Sequence, residues 1–289
     1  MNRCCFGLIL AVAIPLPPIW AANVNDFIDF TLRAANNSVL LPGRLYVPPE
    51  ASASPRPLIL FLHGAGESGT NNLGQLSVNM DNLLAEAKQR GAFLYAPQTT
   101  INTGWTTPTV TSNIDTMLDR ALAEQNVDMN RLYATGLSMG GGGVWNVISR
   151  YPERFAAAVP ICGVAPASDF LPANLLDEPI WAFHARDDNV VSVTRTRTVV
   201  SNIVRAANEP VPPFPSRDPT SFFHFDSQTL DLHYTEPPTG GHAIWFPVYA
   251  HEPMYDWMFA RSSVPEPSAI FLAVLAACGL AFRRLRAAR

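Results

Sequence analysis

The residue best placed to do chemistry in this sequence is Ser138, in the run Gly136-Leu137-Ser138-Met139-Gly140. An apolar stretch, 132–135, precedes it, and a segment carrying Val144, Trp145, Val147 and Ile148 at helical spacing follows it. A serine between a strand and a helix sits on a sharp, strained turn that lifts its hydroxyl above the sheet. A Cβ on either flanking glycine would crowd that turn. Gly141, Gly142 and Gly143 then let the helix begin close to neighbouring strands. A glycine-rich turn with an incidental serine would need no such context, so Ser138 reads as a nucleophile.

A serine hydroxyl needs a base to take its proton, and the base needs an orienting acid. Behind a turn of this kind the acid comes first in the chain and the histidine second. Asp187 and Asp188 lie just past the apolar run 180–185, where loops of an open sheet carry ligands. His242 ends the loop Pro237-Pro238-Thr239-Gly240-Gly241-His242, after the run 230–234. Ser138, Asp188 and His242 are separated by 50 and 54 residues, about one strand–helix unit each. Asp188 is the expected acid and Asp187 the alternative, the other of the two capping the loop. His224 in a proline-rich loop, His233 within a strand and His251 before the last helix suit structural roles.

His63-Gly64-Ala65 follows an early apolar strand. At that place a backbone N–H, here of Ala65, can face a developing alkoxide together with the N–H of Met139. His63 is expected to hold the loop. The same segment, Gly64 to Gly69, matches GxGxxG, but a dinucleotide fold also needs an acidic residue after the second strand. The second strand runs into Pro97-Gln98-Thr99, which offers none, so no cofactor is expected. No metal is expected either, since neither CxxC nor HExxH spacing occurs. Trp105, Trp145 and Trp245 all lie near the motif loops, and Trp105 and Trp245, beside polar loops, are the better candidates for substrate contact.

These side chains need elements to hold them. Apolar runs of four to six residues at 58–62, 93–96, 132–135, 156–161, 180–185 and 230–234 read as strands buried on both faces. Helical patterns at 81–90, 113–125, 141–150, 193–206 and 253–261 alternate with them. Alternation of this kind predicts an α/β fold, a mainly parallel central sheet with helices on both faces. Residues 209–221 hold five prolines and read as a long loop, too short for a second domain.

Composition limits the classes further. Of the 289 residues 48% are apolar and 15% charged, which excludes wholesale disorder. The net charge is −4, and residues 23–263 alone hold 15 basic and 23 acidic residues, which argues against nucleic acid as a partner. Cys162 is the one cysteine in that stretch, so no disulfide staples it. Residues 1–22 read as a signal peptide, with Arg3, an apolar segment and Ala21-Ala22 in order. Residues 264–289 carry Pro265-Glu266-Pro267, an uncharged run of 14 residues and a basic end. At ~1.5 Å per residue that run spans roughly 21 Å, short of a bilayer's ~30 Å hydrocarbon core. The arginines behind it would stay cytoplasmic and leave the folded part outside.

Two resemblances add to this reading. The tail resembles the PEP-CTERM sorting signal of Gram-negative, exopolysaccharide-producing bacteria. That likeness implies export, transient anchoring in the inner membrane, processing by an exosortase-type enzyme, and residence at the cell surface or in the extracellular matrix. A retained anchor is the alternative. The strings PLILFLHGAGESG, RLYATGLSMGGGGVW, YPERFAAAVPICG, EPIWAFHARDDNVV and GGHAIW resemble secreted α/β-hydrolase esterases. These belong to the phospholipase/carboxylesterase, "predicted peptidase" and polyhydroxybutyrate-depolymerase-like group. The likeness runs from about Leu41 to Phe259 and implies a single α/β-hydrolase domain over 23–263. It implies a Ser138–Asp188–His242 triad with oxyanion donors at Ala65 and Met139. The implied activity is ester hydrolysis, the ester carried on a polysaccharide or polyester. A serine peptidase on the same triad and a non-catalytic binding protein on a hydrolase scaffold are the alternatives. His184-Ala185 replaces the group's usual His-Gly, and Ser192 a frequent proline.

Overall fold

The computed structural model describes residues 23–263, apart from 101 and 217–219. The signal peptide and the sorting tail expected from the sequence lie outside the described residues. Among the described residues no helix is long and apolar enough to cross a membrane.

The strands are β1 (Ile28–Asp29), β2 (Leu32–Arg33), β3 (Val39–Leu41), β4 (Gly43–Tyr46), β5 (Arg56–Leu62) and β6 (Phe93–Pro97). They continue with β7 (Val127–Leu137), β8 (Ala157–Ile161), β9 (Ile180–Phe183), β10 (Phe223–Asp226) and β11 (Leu232–Glu236). Nine of them form one sheet in the order β1-β4-β6-β5-β7-β8-β9-β11-β10. The six from β6 to β11 are mutually parallel, while β4 and β1 at one edge and β10 at the other are antiparallel. Those six parallel strands are the six apolar runs read from the sequence. A strand covered on both faces has no polar side, so it shows as an unbroken apolar run.

The helices are α1 (Met80–Arg90), α2 (Pro108–Glu124), α3 (Met139–Arg150), α4 (Thr194–Ala206), α5 (Trp245–Tyr249) and α6 (Glu252–Phe259). Alternate residues of β5 divide between two cores. Leu58, Leu60 and Leu62 join α2, α3 and α4 on one face of the sheet. Ile59 and Phe61 join α1, α5 and α6 on the other. Both faces are therefore covered, and the fold is that of the α/β-hydrolases.

Several boundaries differ from the sequence reading. Helix α2 starts five residues before the expected 113, with Pro108 in its first turn, where a missing N–H is harmless. Strand β9 ends at Phe183 rather than 185, and β11 is shifted to Leu232–Glu236 from the expected 230–234. His224, expected in a loop, lies instead in edge strand β10. In β10, Phe223 and Phe225 turn to the core while His224 and Asp226 face solvent, the alternation of a half-covered edge strand. Because the parallel strands share one direction, the loops after β5, β7, β9 and β11 all emerge at one end of the sheet. The expected site residues lie on those loops.

Candidate active site

Ser138 links β7 to α3 with φ 56° and ψ −116°, a conformation that L-residues rarely adopt. The backbone holds it there. Its N–H donates to the Ile161 carbonyl at 3.0 Å, and the Val164 N–H donates to the Ser138 carbonyl at 3.2 Å. The flanking glycines admit this approach of chains: a Cβ on Gly140 would fall 1.9 Å from the Leu62 carbonyl oxygen. On Gly136 it would fall 2.7 Å from the same oxygen.

The Ser138 hydroxyl meets His242 Nε2 at 2.9 Å, and His242 Nδ1 meets Asp188 Oδ2 at 2.7 Å. A carboxylate can only accept, so Nδ1 carries the hydrogen and Nε2 is free to accept from the serine. Asp188 Oδ1 accepts from the N–H groups of Val190 and Val191, both at 2.9 Å. Burial opposes its charge, but the bonds from His184, His242, Val191 and Val190 outweigh that and hold its carboxyl well below the usual range. Asp187 lies outside the relay. Its exposed side chain accepts from the Gly241 N–H at 2.7 Å and so fixes the loop that carries His242. Gly240 and Gly241 turn that loop at φ +139° and +59°.

The segment after β5 forms a 3₁₀ turn, Ala65–Glu67, rather than the long helix of a dinucleotide fold. A Cβ on Gly64 would lie 3.7 Å from Ser138 Cβ, so this turn abuts the serine. Ala65 and Met139 each open a helical turn, and N–H groups at that position have no partner within the turn. Two backbone donors thus flank Ser138. His63 is fully buried and locks the loop: Nδ1 donates to the Gly64 carbonyl at 2.6 Å, and Nε2 accepts from the Thr99 N–H at 3.1 Å. Burial pulls its pKa down to about 4, so the ring is neutral at physiological pH.

The two tryptophan candidates part company. Trp105 is only 1% exposed and makes no wall of an open site, which corrects the expectation of substrate contact. Its indole N–H donates to the His63 carbonyl at 2.9 Å, and its ring meets His63 edge-on at 4.8 Å. A Cβ on Gly143 would fall 2.4 Å from Trp105 Cβ, so the helix bares its backbone there to admit the ring. Trp245 remains partly exposed and packs edge-on against His242 with ring centres 5.2 Å apart. Phe246, 52% exposed, continues that aromatic surface outward.

Two contributors carried no assigned role in the sequence reading. His184 is fully buried, and its Nε2 reaches both Asp188 Oδ2 at 3.1 Å and the Val191 carbonyl at 2.9 Å. A carbonyl only accepts, so Nε2 is the donor and Nδ1 takes the Thr196 hydroxyl at 2.8 Å. The sequence clue was a histidine four residues before the acid, at the end of a strand. Cys162 adopts φ +40°, and its buried thiol donates to the His242 carbonyl at 3.4 Å. Burial pushes that thiol up, which keeps it protonated as a donor.

The fold and this relay define a chain of α/β-hydrolase architecture with a Ser–His–Asp arrangement at the carboxyl end of its sheet. Residues 88–211 match the dienelactone hydrolase family, a stretch that holds Ser138 and Asp188 but stops short of His242. A thermostable esterase of known structure is 31% identical, with a TM-score of 0.67, over 83% of this chain and 64% of that one. The bifunctional acetylxylan esterase/xylanase XynS20E of Neocallimastix patriciarum is 27% identical over 146 residues, 49% of this chain and 20% of that protein. The chain therefore spans under two thirds of each. An S-formylglutathione hydrolase from Agrobacterium tumefaciens, 15% identical with a TM-score of 0.57, shares the fold over 81% of this chain and 94% of its own.

Proposed function

We propose that this chain is a serine hydrolase of carboxylic esters. The observation that carries the reading is the hydrogen-bonded line from Ser138 through His242 to Asp188, with contacts of 2.9 and 2.7 Å. His242 Nε2 takes the Ser138 proton as the oxygen attacks the ester carbonyl. The oxyanion that forms is received by the N–H groups of Ala65 and Met139, each donor contributing roughly 3 kcal/mol to the transition state. Asp188 fixes the imidazole tautomer and stabilises the imidazolium. The imidazolium then protonates the departing alcohol, leaving an acyl-serine. Water, deprotonated by His242, releases the acid by the reverse path.

The substrate class we assign is a short acyl ester on a polysaccharide or polyester, with Trp245 and Phe246 forming an apolar wall beside His242. The likeness to a protein named an acetylxylan esterase supports acetyl as the acyl group to test first. Ser138→Ala should lower turnover of p-nitrophenyl acetate by about 10⁴-fold or more while leaving the folded state intact. Full activity in that variant, or wild-type cleavage of peptide amides faster than of esters, would refute the assignment.

Export belongs to the same proposal and rests on the sequence of residues 1–22 and 264–289. We assign the enzyme to the cell surface or extracellular matrix after exosortase-type removal of the tail. Its soluble form should then end near Pro267, and intact-mass measurement on the secreted protein checks this. A chain ending at Arg289 in that fraction would exclude processing.

A further inference from the structure

Three of the six histidines take no part in the site, and two of them meet at the β10–β11 edge of the sheet. Edge strand β10 presents His224 and Asp226 on its solvent face, two residues apart. The register pairs Asp226 with His233 and His224 with Thr235 of β11. His233 Nδ1 lies 2.5 Å and His224 Nε2 lies 3.1 Å from the same atom, Asp226 Oδ1. Both ring nitrogens and the carboxylate oxygen fall within 4.8 Å of one another. All three side chains are open to solvent, with exposures of 47%, 58% and 26% for His224, Asp226 and His233.

The nitrogens turned away from Asp226 are also engaged. His233 Nε2 contacts Asp231 Oδ1 at 3.0 Å, and Asp231 is itself gripped by Arg261 at 2.7 and 2.9 Å. His224 Nδ1 contacts Thr235 Oγ1 at 2.9 Å, an oxygen that also accepts from the Trp181 indole N–H at 2.9 Å. A metal-binding histidine commonly gives its remote N–H to a carboxylate or other acceptor, which fixes the tautomer and leaves the near nitrogen's lone pair free. Without a cation His233 lies between two carboxylates, which only accept, so both its nitrogens carry hydrogens. A bound cation would displace the proton on Nδ1 and leave Nε2–H on Asp231. His224 would keep Nδ1–H on Thr235 and turn Nε2 to the ion.

We propose that His224, Asp226 and His233 form a surface site for a divalent transition cation of the Zn²⁺ class. Two imidazoles and one carboxylate, with water completing the shell, are ligands that Zn²⁺ accepts. Zinc bonds of ~2.0–2.2 Å put neighbouring tetrahedral ligands about 3.4 Å apart. The present contacts of 2.5 and 3.1 Å open to that separation through a small turn of the exposed Asp226 side chain. Arg261 does not oppose the cation with a free charge, because Asp231 neutralises it. The ion would clip β10 to β11 near the start of β11, away from the loop beyond its end that carries His242. Sequence spacing hides this site, because its ligands come from two strands and meet only through their register.

Isothermal titration of the metal-free full chain with ZnCl₂ tests the proposal. Wild type should bind one equivalent, and the unfolding temperature should rise until that equivalent is filled. The double variant His224→Ala/His233→Ala should lose both effects. Asp231→Asn should keep the three ligands but bind about 10- to 100-fold more weakly, because one ligand loses its orienting partner. Ni²⁺ should quench fluorescence, and the double variant Trp181→Phe/Trp257→Phe should remove most of that quenching, since the two ring centres lie 5.8 and 5.7 Å from that of His233. Cys162, Asp188 and His242 also bring ligand types together, so Cys162→Ala is the location control and should bind as wild type does. Zinc binding that survives the double variant, or is lost in Cys162→Ala, would overturn the assignment. So would the absence of any wild-type binding.

Discussion

At the scale of single residues, the relay depends on side chains that never meet a substrate. Asp188 is buried, and a buried carboxylate keeps its charge only where donors surround it. His184 is one of those donors, held in turn by Thr196 and Val191. We assign it as a positioning residue for the acid. Losing a buried hydrogen bond to a charged group is worth about 1.5–3 kcal/mol, and about 1.4 kcal/mol is tenfold in rate. His184→Ala should therefore lower kcat by about 10- to 100-fold with KM little changed, because the acid swings out of line with His242. His184→Gln, whose amide N–H can take the place of Nε2–H, should recover most of the loss. Equal unfolding of both variants, with no separation in kcat, would make His184 a core residue only.

At the scale of elements, the elbow between β7 and α3 is set by how closely three backbones approach. Gly140 sits where the start of α3 crosses the end of β5, and its missing Cβ is the clearance between them. Rigid backbone on the far side cannot yield as a flexible side chain would. Gly140→Ala should accordingly destabilise the fold by about 3 kcal/mol or more and displace Ser138 from His242. Gly66, in the neighbouring 3₁₀ turn, has open space where a Cβ would go. Gly66→Ala should change stability by less than about 0.5 kcal/mol. Urea unfolding of the pair checks the contrast, and equal effects would show that the clearance at Gly140 is not limiting.

At the scale of the whole molecule, stability should vary with pH through a group remote from the relay. Glu178 is 3% exposed, and one carboxyl oxygen takes the Glu153 N–H while the other has no partner. Burial pushes its carboxyl up to about 7 from an ordinary 4.5, aided by the nearby charges of Glu153 and Asp177. With the folded value raised, the protonated form favours folding. Its contribution is fully present below pH 4.5 and is lost as pH rises through about 7. The amount at stake is on the order of 3 kcal/mol. Between pH 5 and 8 the wild type should lose urea resistance that Glu178→Gln, neutral throughout, retains. Identical pH profiles for the two proteins would show that Glu178 ionises normally.

The sequence alone determined the covered strands and the loops that follow them. Burial on both faces writes an unbroken apolar run, and a serine elbow demands glycines on both sides. From 58–62, 132–135 and the Gly136–Gly140 elbow, one could therefore place Ser138 above a parallel sheet and expect Asp188 and His242 after later strands. Partners set by packing were decided only in three dimensions. Trp105 looks like a loop aromatic in the sequence, yet the gap at Gly143 draws it into the core behind His63. Asp187 and Asp188 are chemically equivalent in the chain, and only the turn after β9 buries one against His184 while leaving the other to cap Gly241. Strand β10 was hidden because an edge strand has one solvated face and its pattern broke against the prolines before it. With β10 unseen, the register that joins His224, Asp226 and His233 could not be read. Chain order fixes what lies on each strand, but contact across strands is set by register, which depends on the whole sheet.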